Sequence, residues 1–135
     1  LNSIALSPDY EQDEIILVGN TNGWVYWSND NGISFEPLPP DATSAPLTDS
    51  ISVAFDPEFS NNNTIYAASN TITTTDDKER IYRFIIGKST TWESIDSTLP
   101  EETTIDQLMV SVDGTLYAIN SKADGGMERS LDPTY

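Results

Sequence analysis

The residues best placed for chemistry lie in one run, Ser28-Asn29-Asp30-Asn31-Gly32-Ile33-Ser34-Phe35. A hydroxyl, a carboxylate and a glycine at alternating positions can serve two ends. Ser28 and Asp30 could hold a ligand or, with Asn29 and Asn31, offer oxygens to Ca²⁺. Alternatively they hydrogen-bond the hairpin's own backbone while Gly32 takes a positive φ and Phe35 buries against a sheet. The run lacks the full spaced oxygen set of a calcium loop, and turn chemistry of this kind usually specifies structure. Ser28, Asp30, Gly32 and Phe35 are therefore read as a structural turn; no cofactor is assigned, Ca²⁺ being the one ion the run could attract.

The remaining candidates are weaker. Asp9, Glu58 and Asp113 recur beside similar apolar strands, and two such acids could run glycoside hydrolysis. Recurrence in every unit favours a repeated turn role, because catalysis needs one special site. Arg80, Arg83 and Arg129 are dispersed along the chain and do not read as a three-arginine carboxylate clamp. Trp24, Tyr26, Trp27, Tyr66, Tyr82, Trp92 and Tyr117 could stack on sugar rings, but aromatics within strands more often pack between sheets. Asn62-Asn63-Thr64 is an N-glycosylation sequon in an expected loop. No catalytic residue is assigned, and the balance leans away from an enzyme.

Composition narrows the classes further. The 135 residues include 22 acidic and 6 basic side chains, a formal charge of −16. So much negative charge repels nucleic-acid phosphates and anionic lipid, which excludes both as expected partners. Cys and His are absent, which removes thiol nucleophiles, disulfides, Cys/His zinc sites and a histidine base. The longest aliphatic run, Ile15 to Val18, is far too short to cross a bilayer. No cleavable leader is expected ahead of Leu1, and none of the acids gathers into a tail.

The elements that must position these residues follow from an internal repeat. "IALSPDYEQDEIILVGN" (Ile4 to Asn20) aligns with "VAFDPEFSNNNTIYAASN" (Val53 to Asn70), with one residue inserted. A shortened copy, "LMVSVDGTLYAIN" (Leu108 to Asn120), places Ser111 and Asp113 against Ser7 and Asp9. The spacing of about 50 residues suits propeller blades. Runs rich in β-branched and aromatic residues, separated by "SPDYEQD", "NTNG", "NDNG", "VDG" and "ADGG", read as strands and turns. They fall near Ser3–Leu6, Glu14–Gly19, Trp24–Trp27 and Phe35–Leu38, then Ser52–Phe55, Thr64–Ser69, Arg80–Ile86 and Thr91–Ile95. Asp106–Val110, Thr115–Ile119 and Met127–Ser130 complete the set.

With those repeats in place, Ser28 to Phe35 resembles the Asp-box, S-x-D-x-G-x-x-W, with Phe in the Trp position. "GKSTTW" (Gly87 to Trp92) and Ser130-Leu131-Asp132-Pro133 keep traces of it. The chain is similar to Asp-box (BNR-repeat) β-propellers, a class that includes sialidases, the Vps10/sortilin ectodomain, xyloglucan-cleaving hydrolases and photosystem II assembly factors. The resemblance implies an all-β array of antiparallel four-stranded blades: blade 1 about residues 1–40, blade 2 about 50–98 and blade 3 about 104–135, the last lacking its outer strand. The expected function is a non-catalytic extracellular or cell-surface structural or interaction module. The alternatives are a fragment of a secreted sialidase- or xyloglucanase-like glycoside hydrolase with its catalytic residues elsewhere, or a scaffold for assembling another complex. The expected partners are other blades or copies meeting open sheet edges, with protein or carbohydrate as ligand.

Overall fold

The computed structural model describes residues 1–77, 79–95, 102–120, 126–130 and 133. Their strands form three antiparallel sheets, each a meander joined by short connections. The first contains β1 (Ser3–Leu6), β2 (Ile16–Gly19), β3 (Val25–Ser28) and β4 (Glu36–Pro37). The second contains β5 (Ile51–Phe55), β6 (Thr64–Ser69), β7 (Ile81–Ile85) and β8 (Glu93–Ser94). The third, among the described residues, contains β9 (Ile105–Val110), β10 (Leu116–Asn120) and β11 (Met127–Ser130). The all-β expectation holds, and every strand read from the repeats lies within a few residues of its predicted place. Two one-turn helices, α1 (Tyr10–Asp13) and α2 (Phe59–Asn62), sit in loops that the sequence reading left as polar turns.

Backbone bonds fix which residues correspond between sheets. The strand-closing amides Ser7, Asp56 and Ser111 donate to the carbonyls of Ile15, Thr64 and Thr115 at 3.0, 3.1 and 2.9 Å. Counting outward from these, Tyr26 pairs with Pro37 and Trp27 with Glu36 as Tyr82 pairs with Ser94 and Arg83 with Glu93. Trp27 and Arg83 are therefore counterparts, as are Ser28 and Phe84. In the third sheet Tyr117 pairs with Arg129 as Tyr66 pairs with Arg83.

Two apolar cores lie between the sheets, and they hold the array together because burying each large aliphatic side chain stabilises by about 1.5–3 kcal/mol. Leu17 and Val25 of the first sheet pack on Ile51, Val53, Phe55, Ile65, Ala67 and Phe84 of the second. The opposite face of the second sheet, with Ala54, Tyr66, Ala68 and Ile81, packs on Ile105, Leu108, Leu116 and Ala118 of the third. The full burial of β5 and β6 on both faces follows from this middle position. Period 2 sends alternate residues of a strand to opposite neighbours, so a covered strand has no solvent side. The proline-rich segment after β4 is docked, not loose. Gly23 N donates to the Asp49 carbonyl at 2.9 Å and Leu47 N to the Gly23 carbonyl at 3.1 Å, while Leu47 itself is buried.

The helical turns correct the reading of the recurring acids. Ser7 Oγ accepts from Asp9 N at 3.1 Å and donates to Asp13 Oδ2 at 2.6 Å, and Asp13 Oδ1 accepts from Ile15 N. In the second sheet Asp56 Oδ2 accepts from Glu58 N and from Asn62 Nδ2, both at 3.0 Å, and Asn62 Oδ1 accepts from Thr64 N. The pairs Ser7/Asp13 and Asp56/Asn62 exchange hydroxyl–carboxylate for carboxylate–amide while keeping the same bonds. Asp9 and Glu58 themselves make no side-chain cap. Asp113, whose Oδ1 accepts from Thr115 N and from Ser111 Oγ, corresponds to Asp13 and not to Asp9. The sequon Asn62 is half-buried in this bond network and Thr64 is buried, so the triplet does not lie in a free loop.

Candidate functional site

Ser28, Asp30 and Gly32 meet at the β3–β4 turn. Ser28 is buried, and its Oγ accepts from Gly32 N at 2.9 Å while donating to Asp30 Oδ1 at 2.7 Å. Asp30 Oδ1 also accepts from Ser34 N at 2.9 Å, and Asp30 Oδ2 from Ser34 Oγ at 2.5 Å. Asn31 and Gly32 take positive φ, 61° and 84°, the backbone this tight reversal needs. Donation from the Ser34 hydroxyl, then from the Ser34 amide and the Ser28 hydroxyl, holds the Asp30 carboxyl at about 2 against an ordinary 3.8. Asn31 is tied to α1 through the Tyr10 hydroxyl and through Asn31 N, which donates to the Glu14 carbonyl. Both Asp30 oxygens are thus engaged by the turn itself. Phe35 departs from expectation: it is 43% exposed and does not bury against the sheet.

Its counterpart Trp92 is half-buried and packs against the core. The Trp92 ring packs on Phe84 with centroids 5.1 Å apart, and its Nε1 donates to the Leu38 carbonyl of the first sheet at 3.0 Å. A signal for the difference was present in the sequence, since Phe84 stands where the Asp-box serine would be. Between these outer strands lies a groove of about 480 Å³, lined by Trp27, Leu38, Pro40, Phe84, Ile86 and the 87–90 turn. Its lining offers apolar surface and no carboxylate. Trp27 Nε1 and its counterpart Arg83 Nε are both buried without a hydrogen-bond partner among the described residues.

The other aromatics divide clearly. Tyr66 is fully buried, its hydroxyl donating to Asp56 Oδ1 at 2.8 Å, which removes it from any sugar platform. Trp24 and Tyr26 stack on each other, 6.0 Å apart and 20° between planes, on the outer side of the first sheet. Asp9 and Glu11 border a shallow concavity of about 350 Å³ over α1. Among the described residues no three acids gather where a metal could sit.

The arginines are not assembled into a clamp. Arg80 is buried, with Nη1 on Asp77 at 2.9 Å and Nε on the Thr71 carbonyl at 2.7 Å. Arg83 bonds Glu93 at 2.8 Å and the Pro133 carbonyl at 2.9 Å, and only Arg129 faces out. Of the Asp-box trace at Ser130 to Pro133, Leu131 and Asp132 fall outside the described residues.

Comparison with known proteins adds one anchor. No protein-family model and no curated protein matches the chain. A GH74 enzyme of Niastella koreensis, known from its crystal structure, superposes over 98% of the chain with a TM-score of 0.69 and 20% identity. The chain spans 20% of that enzyme's length. The fold is that of a part of such a protein: three consecutive blade-like sheets.

Proposed function

We propose that the chain is a three-blade segment of a larger glycoside-hydrolase propeller, secreted and of the xyloglucanase-like kind, with its catalytic carboxylates outside these residues. One observation carries the reading: a single ordered superposition that takes in nearly the whole chain but only a fifth of a GH74 enzyme. It favours this reading over the free-standing surface module that composition alone suggested. Within the segment the carboxylates of Asp13, Asp30, Asp56 and Asp113 are spent on turns and Glu93 on Arg83. On this reading the role of these blades is architectural, holding neighbouring strands and loops at fixed spacing.

The test is to assay the parent polypeptide and the 135-residue chain side by side on xyloglucan and on aryl β-glucosides. The parent should cleave at least one of them, and the isolated chain neither. An inactive, folded parent would remove the hydrolase reading. Turnover by the isolated chain would show instead that catalytic groups lie within it.

A further inference from the structure

The two sheet–sheet contacts follow one rule of size. In each, the earlier blade presents three small residues from its inner two strands, Ser3, Ala5 and Gly19 in the first contact and Ser52, Ala54 and Ala68 in the second, beside one large residue of the second strand, Leu17 or Tyr66. The later blade answers mostly with large ones, Ile51, Val53, Phe55 and Ile65, then Leu108, Val110 and Leu116, with one alanine each, Ala67 and Ala118. The serine makes the same bond each time. Ser3 Oγ donates to the Ile51 carbonyl at 2.8 Å, and Ser52 Oγ to the Asp106 carbonyl at 2.7 Å. The smallness is imposed by close approach, because a Cβ on Gly19 would lie 2.5 Å from the Ile51 carbonyl oxygen.

Blade 1 turns the large side of this contact to solvent. Ile4 and Leu6 are 61% and 55% exposed, where their counterparts Val53 and Phe55 are buried. Half-buried Ile16, Val18 and Tyr26 continue the same face, as Ile65, Ala67 and Tyr82 do in blade 2. We infer that this face seats one further blade whose inner strands present Ser and Ala or Gly at the three places of closest approach beside one larger residue, its serine donating to the Asn2 carbonyl. Asn2 stands where Ile51 and Asp106 stand in the contacts already made. The inference rests on the blade-segment reading above, and is independent of the glycosidic chemistry proposed with it.

The rule also says what the occupant is not. The free face of blade 3 keeps Tyr117 and Arg129 in the places of Tyr66 and Arg83, but carries Gln107, Met109 and Ile119 in the places of Ser52, Ala54 and Ala68. Met109 is 62% exposed. These larger side chains project where a neighbouring backbone must come closest. Two copies of the chain therefore do not close on each other through these faces, and the occupant is a small-faced blade of the parent polypeptide.

Grafting tests this. Gln107→Ser, Met109→Ala, Ile119→Ala and Met127→Ile give blade 3 the face that blade 2 presents. Sedimentation at micromolar concentration should show the grafted chain at twice or more the wild-type mass, reverting to the wild-type value when Leu6→Asp is added. Wild type should give no Leu6-sensitive association. A cooperatively melting graft that sediments like wild type would overturn the inference, as would wild-type assemblies dissolved by Leu6→Asp. If the fourfold graft fails to fold, Gln107→Ser with Ile119→Ala carries the test. Asn2→Cys is then added to a Gln107→Cys, Ile119→Ala chain, which has no other cysteine. Oxidation should cross-link these chains and leave the same cysteine pair with Ile119 intact as monomers; equal cross-linking of both would overturn the inference.

Discussion

The β3–β4 and β7–β8 hairpins occupy the same place in adjacent blades and are held by opposite means. In blade 1 a buried serine gathers Asp30, Ser34 and Gly32 into a hydrogen-bonded knot, and the aromatic that follows, Phe35, is left half in water. In blade 2 the serine position is Phe84, the aromatic is Trp92, and the pair packs inward with Trp92 reaching back to Leu38. The difference lies in what covers each face. Phe84 points at blade 1 and is buried by it, so apolar area can stabilise the turn. The same face of blade 1 has no neighbouring sheet among the described residues, and there the turn is secured by polar bonds. A hydrogen-bonded turn folds locally, whereas an apolar one needs the next blade.

The contrast is broken most severely in blade 2. Phe84→Ala should lower unfolding free energy by about 3–5 kcal/mol, since a fully packed aromatic leaves a cavity shared with Trp92 and Ile65. Urea unfolding measures it, and a loss comparable to that of a surface residue would show that packing does not hold this hairpin. The next largest effect is Ser28→Ala. It removes an acceptor from Gly32 N in a buried place, at a cost of about 1–2 kcal/mol by the same assay. Trp92→Phe keeps most of the packing but frees the Leu38 carbonyl, and should cost about 1 kcal/mol.

The smallest effect is in pH. Asp30 is held at about 2 when folded against an ordinary 3.8, so its ionised form stabilises the turn. That contribution is complete above the unfolded value and is lost as pH falls through the folded one. Thermal melts of wild type and Asp30→Asn should therefore converge between about pH 4 and pH 2, the window spanned by the two values. Asp113, lowered first by the Ser111 hydroxyl and then by Thr115, contributes in the same direction, so the double variant should flatten the acid limb further. Melts whose separation is unchanged across that window would remove the carboxylate from the account.

Much of the fold was legible because the repeat is written in turn residues and strand composition, both local properties. Ser28, Asp30 and Gly32 could be assigned to one turn for the same reason. What sequence did not reveal was set by neighbours in space. Phe35 was expected inside because the Asp-box aromatic is a core residue, yet its burial depends on what covers the blade. Tyr10–Asp13 and Phe59–Asn62 were missed as helical turns because four residues carry no period. The Ser-Pro and Asp-Pro pairs before them, and Asn63 in the left-handed region after one, were the available signals. Asp113 was matched to Asp9 because the third copy lacks the helical turn, and only the backbone bond from Ser111 to Thr115 restores the register.

The central claim is that these blades are one stretch of a longer stack, with the Ile4 and Leu6 face covered by another blade. Hydroxyl-radical footprinting of the parent polypeptide and of the 135-residue chain reads that face directly. The account predicts strong labelling of Ile4 and Leu6 in the isolated chain and near-complete protection in the parent, with buried Ile65 protected in both. Equal labelling of Ile4 and Leu6 in the two would contradict it.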